Sequence, residues 1–376
     1  MIVLSLFDGM SCGQIALERA GIPVEKYYAS EIDKHAIKVT MANYPNTIQI
    51  GDVRNIDINN FDIPDILIGG SPCQSFSFAG LKKGMSTKCQ IEILTLEQYL
   101  KLKKDNFEFE GQSYLFWEYV RILTSIRERN PKVKFLLENV QMEDKWKKVL
   151  SRSIGVNPIE INSALVSAQN RVRLYWTNIN EKPYGFFGDM FTDIPQPKDK
   201  KIFLKDIIQS DVDSKYYLNE SILSKIEITE NNIKQDISCF SLRGRTSIAG
   251  KRKDYKGAPY KQRFEENKEG KTNCLTSVQK DNLVRTLNPT TNGKQTQQQN
   301  RVYDINFKNP ALLSQLGGRV NIIENKKYRR LTEIEYERLQ NVPDNYTNHV
   351  SSTQRYKMLG NGWNVDTIVH IFNYLK

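Results

Sequence analysis

The sequence predicts an α/β protein whose main part is a doubly wound, mostly parallel sheet, joined by a smaller, irregular domain of mixed structure. Residues 1–180 alternate short apolar strand patterns with amphipathic helical patterns, as is typical of such a sheet. From about residue 181 the chain becomes rich in Pro, Gly and Lys, and after residue 329 helical patterns return. The predicted domains are therefore residues 1–180 with 329–376, and residues 181–328.

The predicted strands are short runs of aliphatic and aromatic residues that are followed by turn residues. In chain order they are MIVLSLF, YYAS, TIQI, DILIGG, KFLLENV, PIEINSALV and RLYWTNI. Helical spacing of apolar residues predicts helices at GQIALERAGI, KHAIKVTMANY and SYLFWEYVRILTSIRE. Near the end of the chain, LTEIEYERLQNVP opens with a capping box and VDTIVHIFNYL is amphipathic, so both are predicted helices.

The chain has 376 residues and a formal net charge of +11, and the positive charge is concentrated in one region. Residues 243–330 hold 20 Lys and Arg against 7 Asp and Glu. A basic block with interleaved Tyr, Asn, Gln and Thr favours a nucleic-acid surface, although a solvated Lys-rich surface has the same composition.

Cysteine and hydropathy patterns indicate the cellular setting. The five Cys are scattered and only three His are present, which argues against a zinc site and favours free thiols in a reducing cytoplasm. No apolar run reaches the roughly 18 residues of a membrane span, so no membrane partner is expected. The opening MIVLSLFDG reads as a buried first strand rather than a leader peptide.

A glycine turn, FDGMSCG, follows the first predicted strand. Gly9 and Gly13 suit a tight turn near a bound nucleotide, although such turns also serve close packing alone. Glu31 and Asp52 follow the next two strands, at the edge where such sheets bind ligands, and carboxylates accept from ribose hydroxyls or an adenine amino group. The alternative is that both acids cap the following helices. Because no second Gly-rich phosphate turn is present, a nucleoside-type cofactor is favoured.

Cys73 follows the fourth predicted strand, in the turn GGSPCQSFSFAG. A free cysteine is usually a small buried hydrophobe, but a Gly-Gly-Ser-Pro turn is poorly suited to burying a thiol. Glu138 lies at the end of KFLLENV, where it can supply a proton, hold an amino group or cap the next helix. Arg171 and Arg173 are two residues apart on one predicted strand, hence on one face, which suggests contacts with an anion or a base.

In content and order these motifs resemble the DNA (cytosine-5) methyltransferase family. The order is a Phe-x-Gly turn, Glu, Asp, Pro-Cys-Gln, Glu-Asn-Val, Gln-x-Arg-x-Arg, RLTEIEYERLQNVP and GNGWNVDTI. VLSLFDG, GDVR and GGSPC, with Trp363, are most similar to the de novo branch and its phage and bacterial relatives. The resemblance covers residues 1–180 and 328–376. It implies the Rossmann-like fold of class I methyltransferases, with S-adenosylmethionine as cofactor, S-adenosylhomocysteine as product and no metal.

The resemblance also implies roles for the residues around the thiol. Cys73 is the expected nucleophile toward C6 of cytosine, and the target base is expected to leave the duplex. Glu138 is expected to engage N3 and the exocyclic amino group, Arg173 the base O2, and Arg171 the thiol or a phosphate. The residues that flank the thiol and complete the expected catalytic set are Pro72 and Gln74.

Cofactor and DNA residues are carried over in the same way. Phe7 is expected to stack on adenine. The other residues of the expected cofactor pocket are Gly9, Glu31, Asp52, Val53, Asn361 and Trp363. Residues 181–328 are the expected target-recognition domain, in which the candidate DNA contacts are Arg243, Arg245, Lys251, Arg252, Lys253 and Thr286. Double-stranded DNA is the expected partner, a cognate restriction endonuclease is a further candidate, and the chain is expected to be a monomer acting in a prokaryotic cytoplasm.

Three alternative functions are weighed against this one. A tRNA cytosine-5 methyltransferase has nearly the same catalytic half, but its Cys-Phe-Thr tripeptide is absent here. A catalytically inactive DNA-binding regulator predicts loss of the Pro-Cys or Glu-Asn-Val residues, and both are intact. An NAD-dependent oxidoreductase accounts for the glycine turn and Glu31, but leaves Cys73 and the two arginines unexplained.

The segment between the Pro-Cys-Gln turn and the helix at Ser113 departs from the family pattern. This segment, residues 82–112, is longer and more charged than the usual catalytic loop. An extra helix is predicted near TLEQYLKLKK, and we expect it to close over or beside the DNA.

Overall fold

The order of strands and helices in the first half of the chain places one sheet at the centre of the molecule. The computed structural model describes residues 1–73, 76, 85–184, 189–216 and 331–375, together with the backbone of short strands between residues 239 and 330. The central sheet has seven strands, in the spatial order β3-β2-β1-β4-β5-β8-β6. These strands are β1 (Ile2–Leu6), β2 (Lys26–Ser30), β3 (Ile48–Gln49), β4 (Ile66–Gly70), β5 (Lys134–Val140), β6 (Ile159–Asn162) and β8 (Val172–Thr177).

The sheet is mostly parallel, as the alternating pattern predicts. β1 pairs in parallel with β2 and β4, β2 with β3, and β4 with β5, whereas β8 runs antiparallel to both β5 and β6. The helices that connect or follow these strands are α1 (Cys12–Arg19), α2 (Lys34–Asn43), α3 (Leu96–Lys104), α4 (Phe116–Arg129) and α5 (Asp144–Ile154). The predicted doubly wound α/β fold is therefore confirmed.

Two hydrophobic cores cover the two faces of the sheet, because successive strand residues point to opposite sides. In β1, Val3 belongs to one core and Leu4 to the other; in β4, Ile68 and Leu67 divide in the same way. The first core packs α1 and the C-terminal helices onto the sheet, and the second packs α3, α4 and α5. The C-terminal helices are α6 (Glu333–Leu339), α7 (Ser352–Asn361) and α8 (Val365–Phe372).

The end of the chain returns to the sheet, so residues far apart in sequence form one core. Thr332 and Glu335 form the predicted capping box at the start of α6. Arg19 on α1 forms a 2.9 Å ion pair with Asp366 on α8. Residues beyond the predicted boundary at 181 join the same core, since Ile194, Leu204 and Ile207 are buried in the cluster that holds α6 and α8.

The remaining described strands are short. They are β7 (Gln169–Asn170), β9 (Glu181–Tyr184), β10 (Asp189–Thr192), β11 (Cys239–Arg245), β12 (Ser247–Ile248), β13 (Lys251–Arg252), β14 (Lys261–Asn267), β15 (Leu283–Val284), β16 (Val302–Asp304), β17 (Asn309–Pro310), β18 (Asn321–Glu324) and β19 (Lys327–Arg330). β11 lies between β14 and β15, β18 lies between β16 and β19, and β17 pairs with β7.

Candidate active site

The carboxyl ends of four neighbouring strands bring the candidate residues to one edge of the sheet. Parallel pairing aligns Leu6 of β1 with Ser30 of β2 and with Gly69 of β4, and it aligns Gly70 of β4 with Glu138 of β5. The loops that follow these strands therefore begin side by side. Ligands bind at this edge in open α/β sheets.

The turn after β1 has an unusual backbone. Phe7, Gly9 and Ser11 all adopt positive φ angles, of 56°, 58° and 60°. Only glycine adopts this region without strain, so Phe7 and Ser11 each store about 1 kcal/mol. Within the described part of the chain, no heavy atom lies within 4 Å of the position that a Cβ at Gly9 would occupy, which leaves open space among those residues above the turn. Space above a glycine turn at the sheet edge suits a ligand that approaches the backbone closely.

Glu31, after β2, is fixed by backbone amides. Its Oε2 accepts from Gly9 N at 2.8 Å, and its Oε1 accepts from Ile32 N and Asp33 N at 2.8 Å each. The alternative of helix capping does not apply to Glu31, because Asp33 is the residue that caps α2. The carboxylate is thus held in one orientation beside the Gly9 turn.

Asp52, in contrast, does cap the element that follows it. It accepts from Arg54 N at 2.9 Å at the start of a 3₁₀ turn, Val53–Asn55. Arg54 Nε lies 3.0 Å from both oxygens of Asp52, and the hydrogen bonds from this guanidinium hold the pKa of Asp52 below its usual value. Val53 is buried, whereas the Asp52 side chain is 20% exposed, so its carboxylate remains partly accessible.

Asp8 belongs to the same turn, and sequence reasoning missed it. Its carboxylate accepts from the Ser11 hydroxyl and, at 2.7 Å, from the Tyr27 hydroxyl. Burial raises the pKa of Asp8 to about 6, against the opposing effect of its hydrogen bonds, and the negative charge of Glu31 adds to the rise. The available signal was the acid inside FDG, whose side chain is able to hold Ser11 in the left-handed conformation.

The turn that carries the thiol is anchored on both sides. Asn139 Nδ2 donates to the backbone oxygen of Ser71 at 3.2 Å and to its hydroxyl at 3.0 Å. Phe76 N donates to the carbonyl of Cys73 at 3.0 Å, and the Phe76 ring is buried beside Trp146. Cys73 itself is half-buried. Desolvation raises the pKa of its thiol, while the positive charge of Arg173 opposes that rise.

Glu138 and Arg173 form an ion pair next to this thiol. β5 and β8 run antiparallel with Val140 opposite Arg173, so that Arg173 Nε reaches Glu138 Oε1 at 3.0 Å. The two side chains are only 11% and 12% exposed, which reduces solvent screening of both charges. Both charges act on the Cys73 thiol, so a carboxylate, a guanidinium and a thiol lie close together.

Arg171 turns away from solvent and holds the C-terminal segment. Its guanidinium donates to the carbonyls of Gly360 at 3.2 Å and Gly362 at 3.0 Å, and the residue is 4% exposed. Burial lowers the pKa of Arg171 to about 10, and Arg173 adds to this lowering. Arg171 therefore braces the backbone on either side of Asn361 and is not exposed to a phosphate in this conformation.

The Trp363 ring lies between Gly70, at the end of β4 before the thiol turn, and Gly13, at the end of the glycine turn. A Cβ at Gly70 would lie 2.8 Å from Trp363 Nε1 and 3.1 Å from Glu138 Oε2, and a Cβ at Gly13 would lie 3.7 Å from the same indole. The ring therefore needs a glycine at position 70, whereas a Cβ at Gly13 would be too close to Ile68 Cδ1, at 2.6 Å, and to the Tyr27 hydroxyl, at 2.9 Å. Asn361, two residues earlier, is exposed, and Pro72 is half-buried beside Cys73.

The profile of the family described as C-5 cytosine-specific DNA methylase matches residues 1–148 and 162–376. The chain belongs to this family. It is accordingly a DNA (cytosine-5) methyltransferase, and the predicted family is confirmed.

Two curated relatives of this methylase illustrate the family. The type II methyltransferase M1.ScrFI of Lactococcus lactis subsp. cremoris is 28% identical over 379 residues, which cover 97% of this chain and 75% of the relative. The orphan methyltransferase M.SPRI of Bacillus phage SPR is 30% identical over 275 residues, which cover 63% of this chain and 56% of the phage protein.

Solved structures share the fold of the methylase at low sequence identity. The S. pombe Dnmt2 methyltransferase has a TM-score of 0.58 and 15% identity, with 100% of this chain and 97% of that chain covered. A DNA modification methyltransferase encoded within an E. coli prophage has a TM-score of 0.53 and 17% identity, with 100% and 98% covered. At these identities the likeness concerns the fold alone.

Some residues predicted for the methylase site lie outside the described residues. These are Gln74, next to the thiol, and Thr286 in the basic region. Arg243 and Arg245 lie on β11, and Lys251 and Arg252 form β13, but only the backbone is described there; Lys253 lies outside. Among the described residues, no three His, Cys, Asp or Glu side chains come together to hold a metal ion. None of the described helices is long and apolar enough to cross a membrane.

Proposed function

We propose that this methylase transfers a methyl group from S-adenosylmethionine to C5 of cytosine within a specific sequence of double-stranded DNA. The observation that carries the proposal is the proximity of the Glu138–Arg173 ion pair to the Cys73 thiol, with Trp363 between this group and the Gly9 turn. A nucleophile, a proton-holding group and a cation lie together where the substrate and the cofactor would meet. These are the groups that addition to a pyrimidine ring requires.

The residues at the sheet edge fit the cofactor. Open space above Gly9 admits a ligand close to the backbone, and the half-buried ring of Phe7 offers a stacking face. Glu31, fixed by three amides, would accept from ribose hydroxyls, and the partly accessible carboxylate of Asp52 would accept from the adenine amino group. The sulfonium of the bound cofactor supplies the electrophilic methyl group. Val53, Asn361 and Trp363 would complete the pocket.

The proposed reaction uses the thiol as a covalent catalyst. The Cys73 thiol gives up its proton to water, and the thiolate bonds to C6 of cytosine, which moves an electron pair toward C5. Glu138 would hold a proton at N3 and so neutralise the charge that develops on the ring, while Arg173 would hold O2. C5 then accepts the methyl group. The C5 proton leaves to water and the C6–sulfur bond breaks, which restores the aromatic ring.

The depth of the thiol supports base flipping. Cys73 is half-buried, and Glu138 and Arg173 are nearly buried, so a cytosine stacked within a duplex could not reach all three. We infer that the target nucleotide swings out of the helix into this pocket. The unstacking costs a few kcal/mol, which contacts with the flipped base and the flanking DNA offset.

The basic region supplies the proposed DNA surface. Its excess of Lys and Arg suits phosphate contacts, and Arg243, Arg245, Lys251, Arg252, Lys253 and Thr286 are the proposed recognition residues. Because Ile194, Leu204 and Ile207 pack into the catalytic core, we place the start of the target-recognition segment after residue 207 rather than at 181. A monomeric state and a cognate endonuclease stay predictions.

Bisulfite sequencing of host DNA tests the activity. Hosts would express the wild type, Cys73→Ser, or Cys89→Ser, the last being a matched control because Cys89 is an exposed thiol away from the pocket. Site-specific methylation is expected with the wild type and Cys89→Ser but not with Cys73→Ser. Methylation in all three, or in none, would contradict the proposal. Sequencing tRNA from the same cells tests the alternative substrate, and tRNA methylation without DNA methylation would replace DNA in the proposal.

A second experiment tests the covalent step. DNA that carries 5-fluorocytosine at the methylated position should form an adduct that survives denaturation, because fluorine cannot leave C5 as the proton does. The adduct should require both Cys73 and added S-adenosylmethionine. An adduct that maps to another residue would overturn the assignment of the nucleophile.

A further inference from the structure

The insertion between the thiol turn and α4 forms an ordered unit docked against the catalytic domain. The predicted extra helix is confirmed as α3, with Thr95 as its N-cap. The segments on either side of α3 pair with each other, since Lys88 N donates to Glu108 O and Glu110 N donates to Ser86 O, both at 2.8 Å. This pairing holds together the two segments that lead into and out of α3.

One buried carboxylate joins α3 to α4. Glu118 of α4 is fully buried and accepts from the Tyr99 hydroxyl and from Lys103 Nζ at 2.5 Å, both on α3. Arg121 Nε, one turn further along α4, donates to the same carboxylate at 2.6 Å. One negative charge therefore faces two positive charges, so Lys103 and Arg121 have further N–H donors free for other acceptors.

Those other acceptors are carbonyls of the turn that follows Asp52. Lys103 Nζ lies 3.4 Å from Arg54 O, and Arg121 Nη2 lies 3.3 Å from Val53 O. Both are long hydrogen bonds, in which the charge on the donor supplies much of the attraction. The Arg54 guanidinium in turn donates hydrogen bonds to both oxygens of the Asp52 carboxylate. The insertion thus reaches the backbone of the residues that the proposed function assigns to the adenine.

We propose that Lys103 of the insertion is a positioning residue for the cofactor pocket, holding the Val53–Asn55 turn through the Arg54 carbonyl so that Asp52 is preset to bind the adenine amino group. This role rests on the proposed function. In this role the insertion acts on the cofactor-binding side of the molecule, which is separate from the DNA contact expected from the sequence. Loss of the Lys103 charge would let the Val53–Asn55 turn relax. Cofactor binding would then weaken, although Lys103 does not itself contact the ligand.

Calorimetric binding of S-adenosylhomocysteine to the full chain tests the role. Lys103→Met keeps the apolar stem and removes the charge, and its dissociation constant should rise about three- to ten-fold, the range for one hydrogen bond of this kind. Lys103→Arg should restore most of the affinity. With S-adenosylmethionine and DNA, KM for the cofactor should rise in Lys103→Met while kcat stays close to the wild-type value.

Two controls separate positioning from general loosening. Tyr99→Phe removes a hydrogen bond from the same Glu118 carboxylate, but Tyr99 does not reach the turn, so binding should stay at the wild-type level. Lys104→Met changes an exposed charge on the same helix and should also have no effect on this binding. Equal weakening in Lys103→Met and Tyr99→Phe, or wild-type binding by Lys103→Met, would overturn the inference. Failure of the wild type itself to bind would instead count against the proposed cofactor.

Discussion

Arg173 Nε lies 3.0 Å from Glu138 Oε1, and this ion pair stands beside the Cys73 thiol. The two charges act on the thiol in opposite directions, because a cation stabilises the thiolate and a carboxylate destabilises it. Burial raises the pKa of Cys73, and the balance of the pair decides how much of that rise is offset.

Removing one charge or the other from this ion pair should shift the pKa of the Cys73 thiol in opposite directions. Arg173→Gln should raise the pKa of Cys73 and Glu138→Gln should lower it. The measurement is the rate of iodoacetamide alkylation against pH without DNA, followed by mass spectrometry of the peptide that contains Cys73. The exposed thiol Cys89 serves as an internal reference, whose profile should not change. Shifts of the same sign in both variants would contradict the arrangement.

Arg171 should act on the cofactor side, since it donates to the carbonyls of Gly360 and Gly362. Arg171→Lys keeps a charge but cannot span both acceptors. We expect S-adenosylhomocysteine affinity and unfolding free energy to fall, the latter by about 2 kcal/mol, because a buried charge-assisted bond is lost. Fluorescence anisotropy should find DNA affinity unchanged. A loss of DNA affinity alone would instead support the phosphate contact considered from the sequence.

Gly70 should tolerate no side chain while Trp363 is present. The Cβ of Gly70→Ala would lie 2.8 Å from the indole nitrogen, so the ring must shift, and overpacking of this kind costs about 1–3 kcal/mol. Urea unfolding measures the loss, and cofactor affinity should fall with it. In a Trp363→Phe background the smaller ring leaves room, so the same substitution should cost less. Equal costs in the two backgrounds would mean that Trp363 does not occupy this position.

Asp8 should make stability depend on pH. Its folded pKa of about 6 lies above the ordinary value of 3.8, so between these two pH values the folded protein holds a proton that the unfolded chain has released. Stability is therefore lost as pH rises from about 4 to 6 and stays level above. Asp8→Asn removes this dependence while its amide can still bond to Ser11 and Tyr27. From pH 5 to pH 7.5 the variant should gain about 1 kcal/mol relative to the wild type in urea unfolding. A constant difference would contradict the pKa assignment.

Much of the framework follows from local patterns. Alternation of strand and helix predicted the sheet, the capping box at Thr332 and Glu335 marked the start of α6, and TLEQYLKLKK predicted α3. Such features depend on residues close together in the chain, whose propensities and hydrogen bonds act over one turn or one strand. Family resemblance then singled out Cys73, Glu138, Arg171 and Arg173 as a set.

The partners of those residues were not predictable in this way. Arg171 bonds to carbonyls 189 and 191 residues away, and Lys103 of the insertion reaches the turn after Asp52. Asp8 acquires its raised pKa only because folding buries it, against the opposing effect of its hydrogen bonds with Ser11 and Tyr27. The sequence by itself determined which elements form and which chemical groups the chain carries. Which of those groups meet, and with what pKa, was decided by tertiary packing, because contacts between distant segments and the desolvation of a charge exist only once the cores have assembled.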